Sequence, residues 1–211
     1  MPHKLSFADE NVRRGVGIHY PCQLEYKSTA FLAIAFPRSE TMSTDALQFI
    51  TKRRSIRKLT GEPVDRELLT IALRAAMAAP SANNAQPWSF LVITDPKTVK
   101  AVCLAHPYAA FGENAGAVIL PFGKKEGYGW FDQDMAAATE NLLLALANLG
   151  LGATWCGMPE KLQPDVRDII SLPADLFFFA LIPVGVPAEE KEPRTQYDAG
   201  RVHWENYGGD S

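Results

Sequence analysis

Cysteine is scarce, with Cys22, Cys103 and Cys156 as the whole complement of 211 residues. Three scattered thiols exclude a disulfide framework and a cysteine-built metal site. The scarcity reads as a reducing compartment, and so as a cytoplasmic protein. Histidine is as thin: His3, His19, His106 and His203 show no HExxH or HxH spacing, so no metal is expected. No apolar stretch approaches the roughly 18 residues of a membrane span. The one segment that invites a secretory reading, 29–36, comes after 28 mixed residues, the wrong context for a signal peptide. A net charge of −3 gives no global attraction to nucleic acid or an anionic membrane. There is no Gly-x-Ser-x-Gly elbow, which removes the usual signature of a hydrolase triad. What remains is ordinary globular material, 47% hydrophobic and 21% charged, of a length for one domain or one domain with an appendage.

Residues 1–41 show no sustained period and mix Gly, Pro and charge, so they are expected to be an N-terminal extension to a main body at 42–211. From there the punctuation is clear. Thr44 or Asp45 can cap a helix reaching Lys52, and Asp65 a second with Leu68, Leu69, Ala72 and Leu73 at helical spacing, stopped by Pro80. Strands are predicted at 88–94 and 116–122, with Asp95-Pro96 opening a short helix between them. Residues 135–149 form a long helix that is apolar on nearly every side, as suits a core centre or a subunit interface, and Gly150 suits a left-handed cap after it. A short strand at 153–156, a helix at 164–171 and a strong strand at 176–184 follow. Helices outnumber strands without alternating with them, which predicts an α+β fold.

Three stretches carry chemistry. Residues 52–58 hold five cations in seven positions. That cluster suits a helix C-terminus, a nucleic-acid patch or a phosphate clamp, and no second basic run supports the nucleic-acid reading. Residues 79–88 form an amide-rich loop between prolines, either a plain connection or a partner for a heteroaromatic edge. Residues 150–157 carry three glycines in a context opposite to that of a dinucleotide fingerprint, and glycine lets a backbone approach a flat ligand. Cys156, on an apolar strand without a nearby base, reads as a buried small hydrophobe and not as a nucleophile. His106 reads as a solvated loop residue, and Asp132 and Asp134 as caps of the following helix. With neither acid–base nor nucleophilic machinery in sight, no catalytic side chain is expected and a cofactor is expected to carry the reaction.

In this order and spacing, Arg-Arg-Ser-x-Arg, Pro-Ser-x-x-Asn-x-Gln-Pro-Trp and Gly-Leu-Gly before Trp-x-Gly resemble the FMN-dependent nitroreductase family, from about Asp45 to Trp204. The resemblance implies a nitroreductase-like central mixed sheet flanked by helices, and a homodimer built around the long apolar helix. It implies FMN as cofactor, NADH or NADPH as donor, and ping-pong hydride transfer through flavin N5 to nitroaromatic, quinone or related electrophilic small molecules. By position, Arg53, Arg54, Ser55 and Arg57 match residues that hold the FMN phosphate and ribityl chain or reach the flavin pyrimidine. Pro80, Ser81 and Asn84 match the loop along the isoalloxazine edge. Cys156 and Gly157 match positions whose backbone faces N5 and O4, and Arg194, ahead of Arg201, matches a further phosphate contact. Members that dehalogenate, that dehydrogenate peptide heterocycles or that consume the flavin set the alternatives: FMN storage or cleavage, or a non-reductase reaction. A non-enzymatic protein on a decayed scaffold is disfavoured by the intact Arg53, Ser55, Arg57 and Asn84.

Overall fold

The computed structural model of the chain describes residues 47–194 and 196–209. The expected extension, its boundary at 41/42 and the candidate caps Thr44 and Asp45 lie outside the described residues. A six-stranded sheet organises the rest, in the order β1-β2-β6-β3 with β5 on β2 and β4 on β6. β1 (Ser89–Ile93) and β2 (Ala117–Gly123) are antiparallel, from Ser89↔Phe122 to Ile93↔Val118. β6 (Ala180–Gly185) pairs β2 on one side and, on the other, the two-residue strands β3 (Gly152–Ala153) and β4 (Cys156–Gly157). β5 (Phe177–Phe178) extends β2 at its far end. Every strand pair described is antiparallel, and the mixed character expected of the sheet comes down to one parallel bridge, Ser55 to Ala153.

Both faces of the sheet are covered. Ala117 and Ile119 of β2 and Ile182 and Val184 of β6 pack on Leu69, Ala72 and Ala76 of α2 (Arg66–Met77) and on Leu142, Leu143 and Leu146 of α4 (Phe131–Asn148). The alternate residues Val118, Leu120 and Leu181 meet Val99, Val102 and Cys103 of α3 (Pro96–Leu104) and Val166 of α5 (Gln163–Ile170). A strand buried on both sides has no polar face, which is why these segments read as continuous apolar runs.

The local signals are honoured where they are chemical. Asp65 accepts from the Glu67 N–H at 2.8 Å and Asp95 from that of Thr98 at 2.9 Å, with Pro96 at the first helical position. Gly150, at φ +78°, ends α4 in the left-handed region. The strand expected at 153–156 divides into β3 and β4 because Thr154 turns aside, its Oγ1 donating to Ile56 O at 2.8 Å. α4 begins at Phe131, ahead of the apolar run. It is not buried all round: Glu140 and Asn148 are exposed, and Leu144 and Ala145 line a surface cleft of about 460 Å³ with Phe49 of α1 (Gln48–Lys52) and Ala75. Among the described residues no helix is long and apolar enough to cross a membrane.

Candidate functional site

The cationic segment leaves α1 extended and is clipped along both edges. On one edge Ser55 bridges Ala153, and the Ile56 N–H donates to Ala153 O at 3.1 Å. Gly152 makes room for this, since a Cβ there would stand 2.7 Å from Ile56 Cγ2. On the other edge runs the C-terminal strap: Thr60 N–H donates to Val186 O at 3.0 Å, Ala188 N–H to Lys58 O at 2.8 Å and Arg194 N–H to Thr51 O at 2.9 Å. Lys191 Nζ donates to Ser55 O at 2.6 Å, and Glu189 Oε1 accepts from the N–H groups of Arg57 at 2.6 Å and Lys58 at 3.2 Å. The Arg57 N–H foremost, with Lys191 and Lys58, holds the Glu189 carboxyl down at about 2.

Backbone clipping leaves the guanidinium groups as this segment's display. α1 spans only five residues, too short for a substantial macrodipole, so a helix-end explanation of the cluster carries little. Neighbours on an extended chain face opposite ways. Arg53 meets α4, its Nε 3.6 Å from Glu140, while Arg54 Nη1 donates to Glu192 O on the strap. Arg54 Nε is buried and finds no hydrogen-bond partner among the described residues. The Arg57 guanidinium lies 5.9 Å from the Phe111 ring centroid and is near enough to Cys156 to favour its thiolate.

The amide-rich loop is held in a costly shape. Asn83, Asn84 and Gln86 all lie in the left-handed region, at φ 53°, 54° and 46°. Gln86 closes the loop on itself, its N–H donating to Ser81 Oγ at 3.0 Å and its Nε2 to Asn84 Oδ1 at 2.8 Å. Pro80 and Asn84 stay exposed. The clamp on the loop is Asp134, read from the sequence as a helix cap. α4 has no side-chain cap at all. Asp134 is buried at 6% exposure and accepts from the Ala82 N–H at 3.1 and 3.2 Å and from the Tyr128 hydroxyl, whose oxygen also lies 3.2 Å from Ala82 O. Its bond to Asp134 pushes Tyr128 up to about 12. Asp132 pairs with Lys125 at 3.1 Å. No sequence signal separated this clamp from a cap, because an Asp in a first helical turn fits both. Ala82 and Arg53 therefore meet α4 at Asp134 and Glu140, roughly 9 Å apart along the axis and about 120° round it.

The glycine-rich stretch resolves into three uses. Gly150 caps α4, Gly152 admits Ile56, and Gly157 is exposed with nothing within 4 Å of where a Cβ would stand. In β4, Cys156 faces Leu181 and Gly157 faces Ala180, and the Met158 N–H donates to Phe179 O at 3.3 Å. Antiparallel alternation then makes Cys156↔Leu181 the pair that exchanges bonds and turns the Gly157 N–H away from β6. Cys156 is buried at 5% exposure, its Sγ donating to Tyr108 O at 3.5 Å, and burial pushes the thiol up to about 11 against the pull of Arg57. It is a packed thiol, not a poised nucleophile.

His106 overturns its reading as a solvated residue: it is fully buried, and a ring nitrogen lies 2.8 Å from Gly157 O. Of the C-terminal arginines, Arg194 joins the cationic segment through its backbone and donates from Nη1 to Gln196 at 2.8 Å, while Arg201 is 84% exposed beside Asp198. Among the described residues no cluster of His, Cys, Asp and Glu could hold a metal ion.

These features suit a ligand with an anionic end and a flat hydrogen-bonding edge, and so fit the FMN that the resemblance implies. Among the described residues Arg54 has a buried donor to spare and Arg53 pairs with an exposed carboxylate at 3.6 Å, and Gly157 offers open space with an outward N–H. Fold and site together define an α+β protein with a cationic segment, an amide-rich loop and an open glycine edge beside an antiparallel sheet. The chain belongs to the Nitroreductase family, whose profile matches residues 50–104 and 99–186. It is 36% identical over 168 residues to a Methanothermobacter thermautotrophicus protein provisionally named NADH dehydrogenase/NAD(P)H nitroreductase, covering 77% of this chain and 88% of that one. A solved structure from Desulfovibrio desulfuricans, provisionally named a nitroreductase and in complex with FMN, superposes with a TM-score of 0.68 at 34% identity, covering 76% of this chain and 96% of that one. Human iodotyrosine deiodinase 1 is 26% identical over 192 residues, covering 74% of this chain and 66% of the human protein.

Proposed function

We propose that this chain is an FMN-dependent NAD(P)H oxidoreductase that reduces nitroaromatic, quinone or related electrophilic small molecules. The observation that carries the reading is the Ser55–Ala153 bridge, which brings the cationic segment beside β3 and the open Gly157 edge of β4. Arg53, Arg54, Ser55 and Arg194 would hold the phosphate and ribityl chain, since guanidinium forks and a hydroxyl match phosphate oxygens. Arg57 would reach the pyrimidine, and Pro80, Ser81 and Asn84 would lie along the ring edge. Of the two backbone positions assigned to N5 and O4, Gly157 is the donor left off the ladder, and Cys156 supplies the strand that aims it. FMN, when bound, supplies hydride transfer from NADH or NADPH to the acceptor. The protein's part would be to bind FMN, to hold donor or acceptor against it and to place the Gly157 N–H where negative charge develops. No side chain is assigned an acid, base or nucleophile.

A second copy of the chain would cover the cleft of Phe49, Leu144 and Ala145, making the homodimer around α4; a flavin-loaded monomer in sedimentation would refute it. Residues 42–211 would form the FMN-binding domain, 1–41 an extension, and the cytoplasm the setting. The likeness to a deiodinase makes reductive dehalogenation the second reading.

Visible absorbance of the purified protein, before and after anaerobic NADH and then NADPH, tests the reading. A flavin band bleached by either donor supports it and names the donor. A band that neither donor bleaches shifts weight to FMN storage or cleavage. A colourless protein that refuses added FMN refutes the site assignments.

A further inference from the structure

His106 sits in the turn after α3, with no polar face to solvent and two ring partners. The Tyr108 N–H donates to Nδ1 at 3.2 Å, which requires that nitrogen to be unprotonated. The single ring proton is then on Nε2, donated to Gly157 O at 2.8 Å. The carbonyl it binds and the Met158 N–H belong to one peptide unit. That N–H reaches Phe179 O at only 3.3 Å, beyond the usual range, so the histidine is the firmer of the unit's two anchors. The unit needs one. β4 has two residues and β6 as its strand neighbour, and Gly157 is the residue type with most backbone freedom, standing in open space. A second tie between the same two segments, Cys156 Sγ to Tyr108 O at 3.5 Å, is a weak thiol bond and cannot substitute.

We propose that His106 is a positioning residue: by gripping the Gly157 carbonyl it fixes the backbone of the residue whose N–H faces the flavin edge. The inference rests on the proposed flavin site, but its first readout does not. Gln carries an amide nitrogen at the reach of Nε2, and Asn only at the reach of Nδ1. The pair His106→Gln and His106→Asn therefore separates the Gly157 bond from simple filling of the pocket.

In the full-length protein without added flavin, amide exchange at Met158 is expected to rise roughly 3- to 10-fold in His106→Asn, the equilibrium factor for one net hydrogen bond, and to stay near wild type in His106→Gln. In FMN-saturated protein, flavin bleaching by the working nicotinamide donor should slow about tenfold in the Asn variant and recover in the Gln variant. Exchange at Met158 that is unchanged in both variants, or raised equally in both alongside equal losses of thermal stability, overturns the role. Loosening of Met158 in Asn alone while bleaching keeps the wild-type rate overturns the link to the flavin edge. Wild-type protein that takes up no FMN refutes the flavin reading itself, and the exchange result still decides whether His106 anchors Gly157.

Discussion

Asp134→Ala should cost more stability than alanine at the exposed polar positions of α4, and the size follows from the loop it clamps. The carboxylate accepts from the Ala82 N–H and the Tyr128 hydroxyl, two bonds to a charged acceptor. Each such bond contributes roughly 1.5–3 kcal/mol, so about 3–6 kcal/mol is lost with it. Against that, the freed loop relaxes. Asn83, Asn84 and Gln86 leave the left-handed region, recovering roughly 1 kcal/mol each and less for Asn, which tolerates it. The lost bonds win, leaving a net destabilisation of ~1–4 kcal/mol. For a chain of this size that is a drop in Tm of about 2–16 °C. Asp134→Asn keeps an acceptor for Ala82 without the charge and should cost ~1 kcal/mol. Urea and thermal unfolding of the three proteins give the comparison. An Ala variant within ~0.5 kcal/mol of wild type, the range of an ordinary surface change, would show that the loop holds its own shape and that the clamp reasoning is wrong.

Arg53→Ala should strip FMN retention while leaving the Tm of FMN-free protein nearly unchanged, because its ion pair among the described residues is to the exposed Glu140; copurification with wild-type amounts of flavin would remove Arg53 from the phosphate site. Glu189, held at about 2 against an ordinary 4.5, contributes stability that is fully present above pH 4.5 and lost as pH falls toward 2. Glu189→Gln should therefore flatten the acid limb of unfolding midpoint against pH, and an unaltered limb would refute the clip. Cys103 and Cys156, pushed up to about 12 and about 11 by burial, should resist alkylation in the native protein at pH 8 and label readily in urea, read site by site by mass spectrometry.

What could be read from the sequence was what depends on neighbours in the chain. Asp65, Asp95 and Pro96 act within one turn of where they stand, and the apolar runs of β2 and β6 needed only a count. The three motifs were equally visible, because each is a short contiguous signature. What escaped depended on partners far along the chain. His106 pairs with Gly157, 51 residues on, and Asp134 with Ala82, 52 residues back. Nothing beside His106 or Asp134 announces those partners, so a solvated loop and a helix cap were the natural readings. In the glycine-rich stretch a cap at Gly150 and a backbone open to a flat ligand are legible, yet only the packing of Ile56 reveals that Gly152 is taken up inside the fold.

The strap that clips the cationic segment also sets when the site can exist. Arg54 and the Glu192 carbonyl that receives it are 138 residues apart. A ribosome adding about 5–20 residues each second needs roughly 7–28 s to go from one to the other. For that interval the arginines have left the tunnel while the strap has yet to emerge, and β6, the strand on which β3 and β4 hang, is the last strand in chain order among the described residues. The nascent chain can form α2, α3 and the β1–β2 pair early, before the strap exists to clip the cationic segment. If FMN binds where we propose, a chain truncated before the strap would be born blind to it even with every motif present.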